Sequence, residues 1–110
     1  MKIRFYKTTS NRSPVEEFLQ ECSEEVRGEF FDAYSLLEQG KSLSMPLSRN
    51  LSNIHRGLYE LRFKDRGGQI RFFYFIKVGA AIYMIHALKK KRKDIAREDI
   101  DLILRRLKEI

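Results

Sequence analysis

Residues 58–88 form three strand-forming runs divided by glycine turns, and this pattern constrains the fold more than any other. In the first run Tyr59, Leu61 and Phe63 alternate with Glu60, Arg62 and Lys64, the period of a strand with one buried face. Asp65, Arg66, Gly67 and Gly68 then supply a hairpin turn. Residues 69–77 are apolar on both faces, as in a central strand, and only Arg71 interrupts them. Val78 and Gly79 turn the chain into a third run, residues 80–88, rich in β-formers. Short turns between consecutive strands predict antiparallel pairing.

Before the strands the period changes to that of helices. Val15, Phe18, Leu19 and Cys22 recur at i, i+3, i+4 and i+7, behind a start formed by Ser13, Pro14 and the capping-box residue Glu16. Cys22 belongs to this apolar stripe and reads as core. Ser23 is placed to cap a second helix carrying Val26, Phe30, Ala33 and Leu37, and Gly40 to end it. Ile100, Ile103, Leu104 and Leu107 mark a last helix, with Asp94 placed to cap it. Residues 1–7 read as an opening strand. Residues 41–57 have no period, and so long a loop is uncommon unless it is functional or conceals a short element. The order is β-α-α-β-β-β-α: an α+β fold in one domain, residues 1–110, with a small, mainly antiparallel sheet, a helical hairpin and a C-terminal helix. Helices on one face would leave the other available.

Charge is unevenly spread. The net charge is +7, yet residues 13–40 hold eight acidic side chains and one basic, a local −7. The remainder carries 21 basic and seven acidic side chains, a net of +14, which favours polyanionic partners, phosphate backbones first. One cysteine excludes an internal disulfide and a cysteine-based zinc site, and suits the reducing cytoplasm. No apolar segment approaches the length of a membrane span, so no membrane association is expected.

Five consecutive basic residues, Lys89, Lys90, Lys91, Arg92 and Lys93, separate the last strand from the last helix. A basic run most often sits solvated. Arg71 argues for more, because a charge in an apolar strand is costly unless water or an anion meets it. Pairing of Arg71 with Glu60 across strands is the competing reading. His86, in an apolar strand, reads as a buried or edge histidine, and Tyr59 and Tyr74 as core aromatics. His55 and His86 stand 31 positions apart without a carboxylate cluster, so no metal and no cofactor is expected.

The segments IRFYK, SPVEEFL, PLSRNL, GLYELRF, QIRFFYFI and IHALKKK, in this order and spacing, resemble the HigB-like, phage-derived toxins of the RelE/ParE superfamily. The resemblance spans nearly the whole chain. It implies a RelE-like fold and the toxin of a two-gene toxin–antitoxin system, which cleaves mRNA at the ribosome without a metal. The implied partners are mRNA on the ribosome and an antitoxin, often of helix-turn-helix type. On the matching positions, Glu60 and Arg62 fall on the family's Glu-Leu-Arg, Arg71 on the arginine of the next strand, and Lys89, Lys90 and Lys91 on its lysine-rich segment. His86 matches a histidine often found there. Asp94, Ile95 and Ala96 stand where related chains commonly read lysine, threonine and proline.

Metal-independent cleavage by a 2′-hydroxyl needs a base, a proton donor and positive charge for the phosphorane. Arg62 and Arg71, on adjacent strands, suit the phosphorane because their forked guanidinium groups stay charged. Glu60 or a lysine such as Lys90, its pKa lowered by crowding, is the candidate base. Lys64, Lys89, Lys91, Arg92 and Lys93 are the candidate RNA contacts. A ParE-like toxin that binds a protein such as a topoisomerase, and an inactive nucleic-acid-binding relative, are the alternatives.

Overall fold

The alternation beyond residue 57 folds into a meander with one short strand added at each side. In chain order the elements are β1 (Ile3–Phe5), α1 (Pro14–Glu21), α2 (Glu24–Glu38), β2 (Ser48–Asn50), β3 (Leu58–Asp65), β4 (Gly68–Lys77), β5 (Ala81–Lys90) and α3 (Arg97–Leu107). This computed structural model describes residues 1–90 and 94–110. The sheet order is β1-β5-β4-β3-β2, antiparallel throughout except for β1 against β5. The α+β class expected from the sequence holds. The element order gains one strand, β2, inside the aperiodic segment. Three residues are too few to display a period, and β2 is defined only by its pairing with β3, Ser48 opposite Leu61.

Pro14 opens α1 as expected, but the Ser13 hydroxyl accepts no capping bond, so the capping box does not form. Ser23 does cap α2, accepting from the Val26 N–H at 3.2 Å. Gly40, at φ +79°, closes it with its N–H on the Leu37 carbonyl. Asp94 does not cap α3. That helix starts from Ala96, whose side chain has no acceptor to offer.

One face of the sheet presents Leu61, Phe63, Ile70, Phe72, Tyr74, Ile82 and Met84 to the helical hairpin, where Val15, Leu19, Val26, Phe30, Ala33 and Leu37 meet them. Phe30 and Phe72 are fully buried with ring centroids 4.6 Å apart. The other face is not left open. α3 packs Ile103 and Leu107 there against Leu51, Leu58, Phe73, Ile85 and Leu88, which corrects the expectation of helices on one side only. A bulge in β5 assists this. Phe73 pairs with His86 but Tyr74 with Met84, so Ile85 is extra. Two consecutive side chains, Ile85 and His86, therefore lie on the α3 side, where strict alternation would separate them. Among the described residues no helix is long and apolar enough to cross a membrane.

Candidate functional site

α3 covers only part of its face. Toward the hairpin turn of β3 and β4 that face becomes charged, because the two-residue period places Glu60, Arg62, Gln69 and Arg71 on the side opposite Leu61, Phe63, Ile70 and Phe72. Arg62 and Arg71 are direct cross-strand partners, and Arg49 of β2 lies opposite Glu60. Three guanidinium groups thus ring one carboxylate. Arg71 Nη1 stands 3.7 Å from Glu60 Oε2, while Arg62 Nε and Arg49 Nη1 each stand 3.9 Å from Oε1. These are ion pairs without hydrogen bonds, since neither Glu60 oxygen accepts one among the described residues.

Depth divides the group. The side chain of Glu60 is 0% exposed and that of Arg71 1%, whereas Arg62 is 19% and Arg49 46% exposed. Arg71 and Glu60 do not face solvent as expected; the competing reading, a cross-strand pair, describes them. Period two assigns a face but not a depth, and here Phe73 and Leu88 flank the two charged residues as register partners. Burial holds the Glu60 carboxyl above its ordinary range, although Arg71, Arg62 and Arg49 each pull it down. Gln69 ties the arginines together: its Oε1 accepts from Arg62 Nη2 and from Arg71 Nη2, each at 3.3 Å.

The family profile Phage derived protein Gp49-like (DUF891) matches residues 17–108, a span holding every member of this cluster. The chain belongs to the Gp49-like family. That family is RelE-like and toxin-like. No curated protein matches the chain.

In this Gp49-like chain the first two residues of the basic run, Lys89 and Lys90, end β5 rather than follow it, and the pleat puts them on opposite faces. Lys90 pairs in register with Gln69, on the charged side, and its Nζ lies 2.9 Å from Asp99 Oδ2 on α3. Lys89 pairs with Ile70, on the hairpin side, and its Nζ meets Asp65 Oδ2 at 3.2 Å. Lys89 therefore does not join the arginines, contrary to its expected role beside them. Gly68 permits the close packing here, because a Cβ would come within 2.8 Å of the Lys90 carbonyl oxygen. Lys64 is exposed on the side of Arg62. Lys91, Arg92 and Lys93 lie outside the described residues.

His86 is structural, as its sequence context suggests. It stacks on Phe73 at 5.9 Å, and its Nε2 lies 2.9 Å from Asp99 Oδ1. Arg106 Nη1 approaches Nδ1 at 3.5 Å while donating to the Ile85 carbonyl. A guanidinium only donates, so Nδ1 is an acceptor and Nε2–H donates to Asp99. Burial, then Arg106, lowers the His86 pKa, and the Asp99 bond opposes this only in part. The neutral imidazole follows. Burial raises the Asp99 carboxyl, but its bonds from His86 and Lys90 outweigh that and hold it below its ordinary range.

Tyr74 is buried, its hydroxyl 2.7 Å from Ser48 Oγ, and Tyr59 stacks on it at 5.3 Å, as core aromatics. Among the described residues no three His, Cys, Asp or Glu side chains gather as metal ligands. Arg49 is the member of the cluster that the sequence does not single out. Its signal is weak: one basic residue in a segment without a period.

Proposed function

We propose that the chain is the toxin of a toxin–antitoxin pair and cleaves translated mRNA in the cytoplasm, by attack of a 2′-hydroxyl on the adjacent phosphorus. The observation that carries this reading is the pair of cross-strand arginines gathered about Glu60, with Arg62 and Arg49 reaching solvent and Lys90 beside them. In that reaction the O2′–H bond breaks and its proton passes to solvent water, the O2′–P bond forms, and the P–O5′ bond breaks as O5′ takes up a proton, leaving a cyclic phosphate. Arg62 contacts the phosphorane, whose extra negative charge exists only at that stage. Lys90, whose Nζ pairs with Asp99, adds positive charge and is the proton donor to O5′.

Glu60 and Arg71 act from behind. A carboxylate with no exposed surface cannot take a proton from a substrate hydroxyl, so Glu60 positions Arg62 and Arg49 rather than serving as base. Lys64, Lys91, Arg92 and Lys93 contribute RNA contacts. A HigB-like assignment, ribosome-bound mRNA as substrate and a helix-turn-helix antitoxin complete the reading.

Induced expression without any partner, with growth, transcripts and replication followed together, tests it. Arrested growth with fragmented mRNA is the expected outcome. Arrest with intact transcripts and stalled replication would favour a ParE-like protein target. Normal growth with intact RNA and folded protein would refute a toxin of either kind.

A further inference from the structure

The groove beside Arg62 has walls of opposite charge. It opens where β2 stops: the Arg62 N–H donates to the Leu47 carbonyl at 2.9 Å, and past that bond β3 forms the edge of the sheet. Arg62, Lys64 and Gln69 line one side, Glu25 and Glu29 of α2 the other, with Leu47 between them. Its volume, about 530 Å³, lies in the range of small-molecule sites.

The walls do not neutralise each other. Neither glutamate has an ion-pair or hydrogen-bond partner for its carboxylate among the described residues, nor does the Lys64 ammonium. Glu25 and Glu29 stand four residues apart on α2, an arrangement in which like charges repel. A ligand that bridges such a groove carries an anion at one end and N–H donors at the other.

Among nucleotides one base fits that description best. Guanine presents N1–H and N2–H side by side on its Watson–Crick edge, two parallel donors that match the two oxygens of a carboxylate. Adenine and cytosine offer one amine next to an acceptor, and uracil one N–H between two acceptors, so each sets a lone pair against the carboxylate. Exposed base edges of single-stranded RNA are read by such contacts. We propose that this groove is a guanine-selective nucleotide subsite, in which Glu25 and Glu29 read the base while Arg62 and Lys64 hold its phosphate. The inference deepens the reading of the charged end as an RNA site and rests on it for its biological substrate, although nucleotide binding can be measured without cleavage.

The test titrates the whole isotope-labelled chain with guanosine 3′-monophosphate and, separately, with its adenosine, cytidine and uridine counterparts, observing backbone amides. The guanosine nucleotide is expected to bind on the order of tenfold more tightly than the others and to shift Leu47, Lys64 and Gln69. The double variant Glu25→Gln, Glu29→Gln is expected to lose that preference and keep weak, phosphate-driven binding. Equal binding of all four nucleotides, or a guanine preference that survives the double substitution, would overturn the subsite. Mapping of RNA cut sites separates the two claims. Cleavage with no guanine bias, or a bias unchanged by the double substitution, removes the subsite and spares the nuclease. Guanine-selective binding without any cleavage does the reverse.

Discussion

The two faces of this sheet are built on opposite terms. Under the helical hairpin the buried contacts are apolar, from Phe30 on Phe72 to Leu37 and Met84, apart from the uncharged hydroxyl pair of Tyr74 and Ser48. Under α3 the same strands are apolar at one end, around Phe73 and Ile85, and at the other hold Glu60 with three arginines. Apolar burial needs no partner geometry and stabilises in proportion to area. Buried charges lose hydration, and pairs at 3.7–3.9 Å without hydrogen bonds recover it poorly. The hairpin face therefore carries the stability, and the charged end is retained at a cost to it.

The largest expected effect lies on the hairpin face. Phe72→Ala removes a fully buried ring at the centre of that core and should lower stability by about 3–5 kcal/mol in denaturant melts. A loss below about 1 kcal/mol would mean that this face is not the stabilising one.

Next comes the charged pair. Glu60→Ala leaves Arg71 and its neighbours without their carboxylate and should cost roughly 3 kcal/mol. Replacing both partners, Glu60→Leu with Arg71→Met, should restore or exceed the parent's melting midpoint while cleavage is lost. If the double variant is less stable than Glu60→Ala, the pair is structural and the contrast between the faces fails.

A smaller effect appears with pH, and the two titrating groups under α3 differ in sign. Glu60 is held above its ordinary range, so the folded state binds its proton more readily than the unfolded chain. Its contribution is present at low pH and is lost as pH rises through the raised value. His86 is held below its ordinary 6.5, so the unfolded chain takes that proton more readily. Stability falls as pH drops from 6.5 toward the lowered value. Urea melts across this range should show Glu60→Gln removing the first dependence and His86→Gln the second. Unchanged profiles in both variants would contradict the burial that sets these directions.

Much of this architecture is legible in the sequence because period two and period 3.6 report which side chains share a face. The meander, the apolar stripes of α1 and α2, the Ser23 cap and the Gly40 stop all follow from local pattern. What escapes is set by tertiary pairing. β2 exists through its bonds to β3, and the β5 bulge that turns His86 toward α3 has no local signature. Depth escapes as well: Glu60 and Arg62 occupy equivalent places in the alternation, yet one is sealed and the other meets solvent. At the end of β5 consecutive lysines hide the pleat, so Lys89 and Lys90 read alike and part company only in the sheet.

The most direct test of the central claim, that the charged end of the α3 face is the reacting surface, is single-turnover cleavage of saturating ribosome-bound mRNA by Arg62→Ala and Lys89→Ala. The Arg62 side chain is partly exposed and that of Lys89 more so, and both variants should remain folded in thermal melts. Arg62→Ala is expected to cleave about 10²–10³-fold more slowly than the parent, as when one donor to a developing oxyanion is lost. Lys89→Ala, which loses only a surface pair with Asp65 on the hairpin side, should cleave at the parent rate. Parent-rate cleavage by folded Arg62→Ala, or an equal loss in both variants, would contradict the assignment.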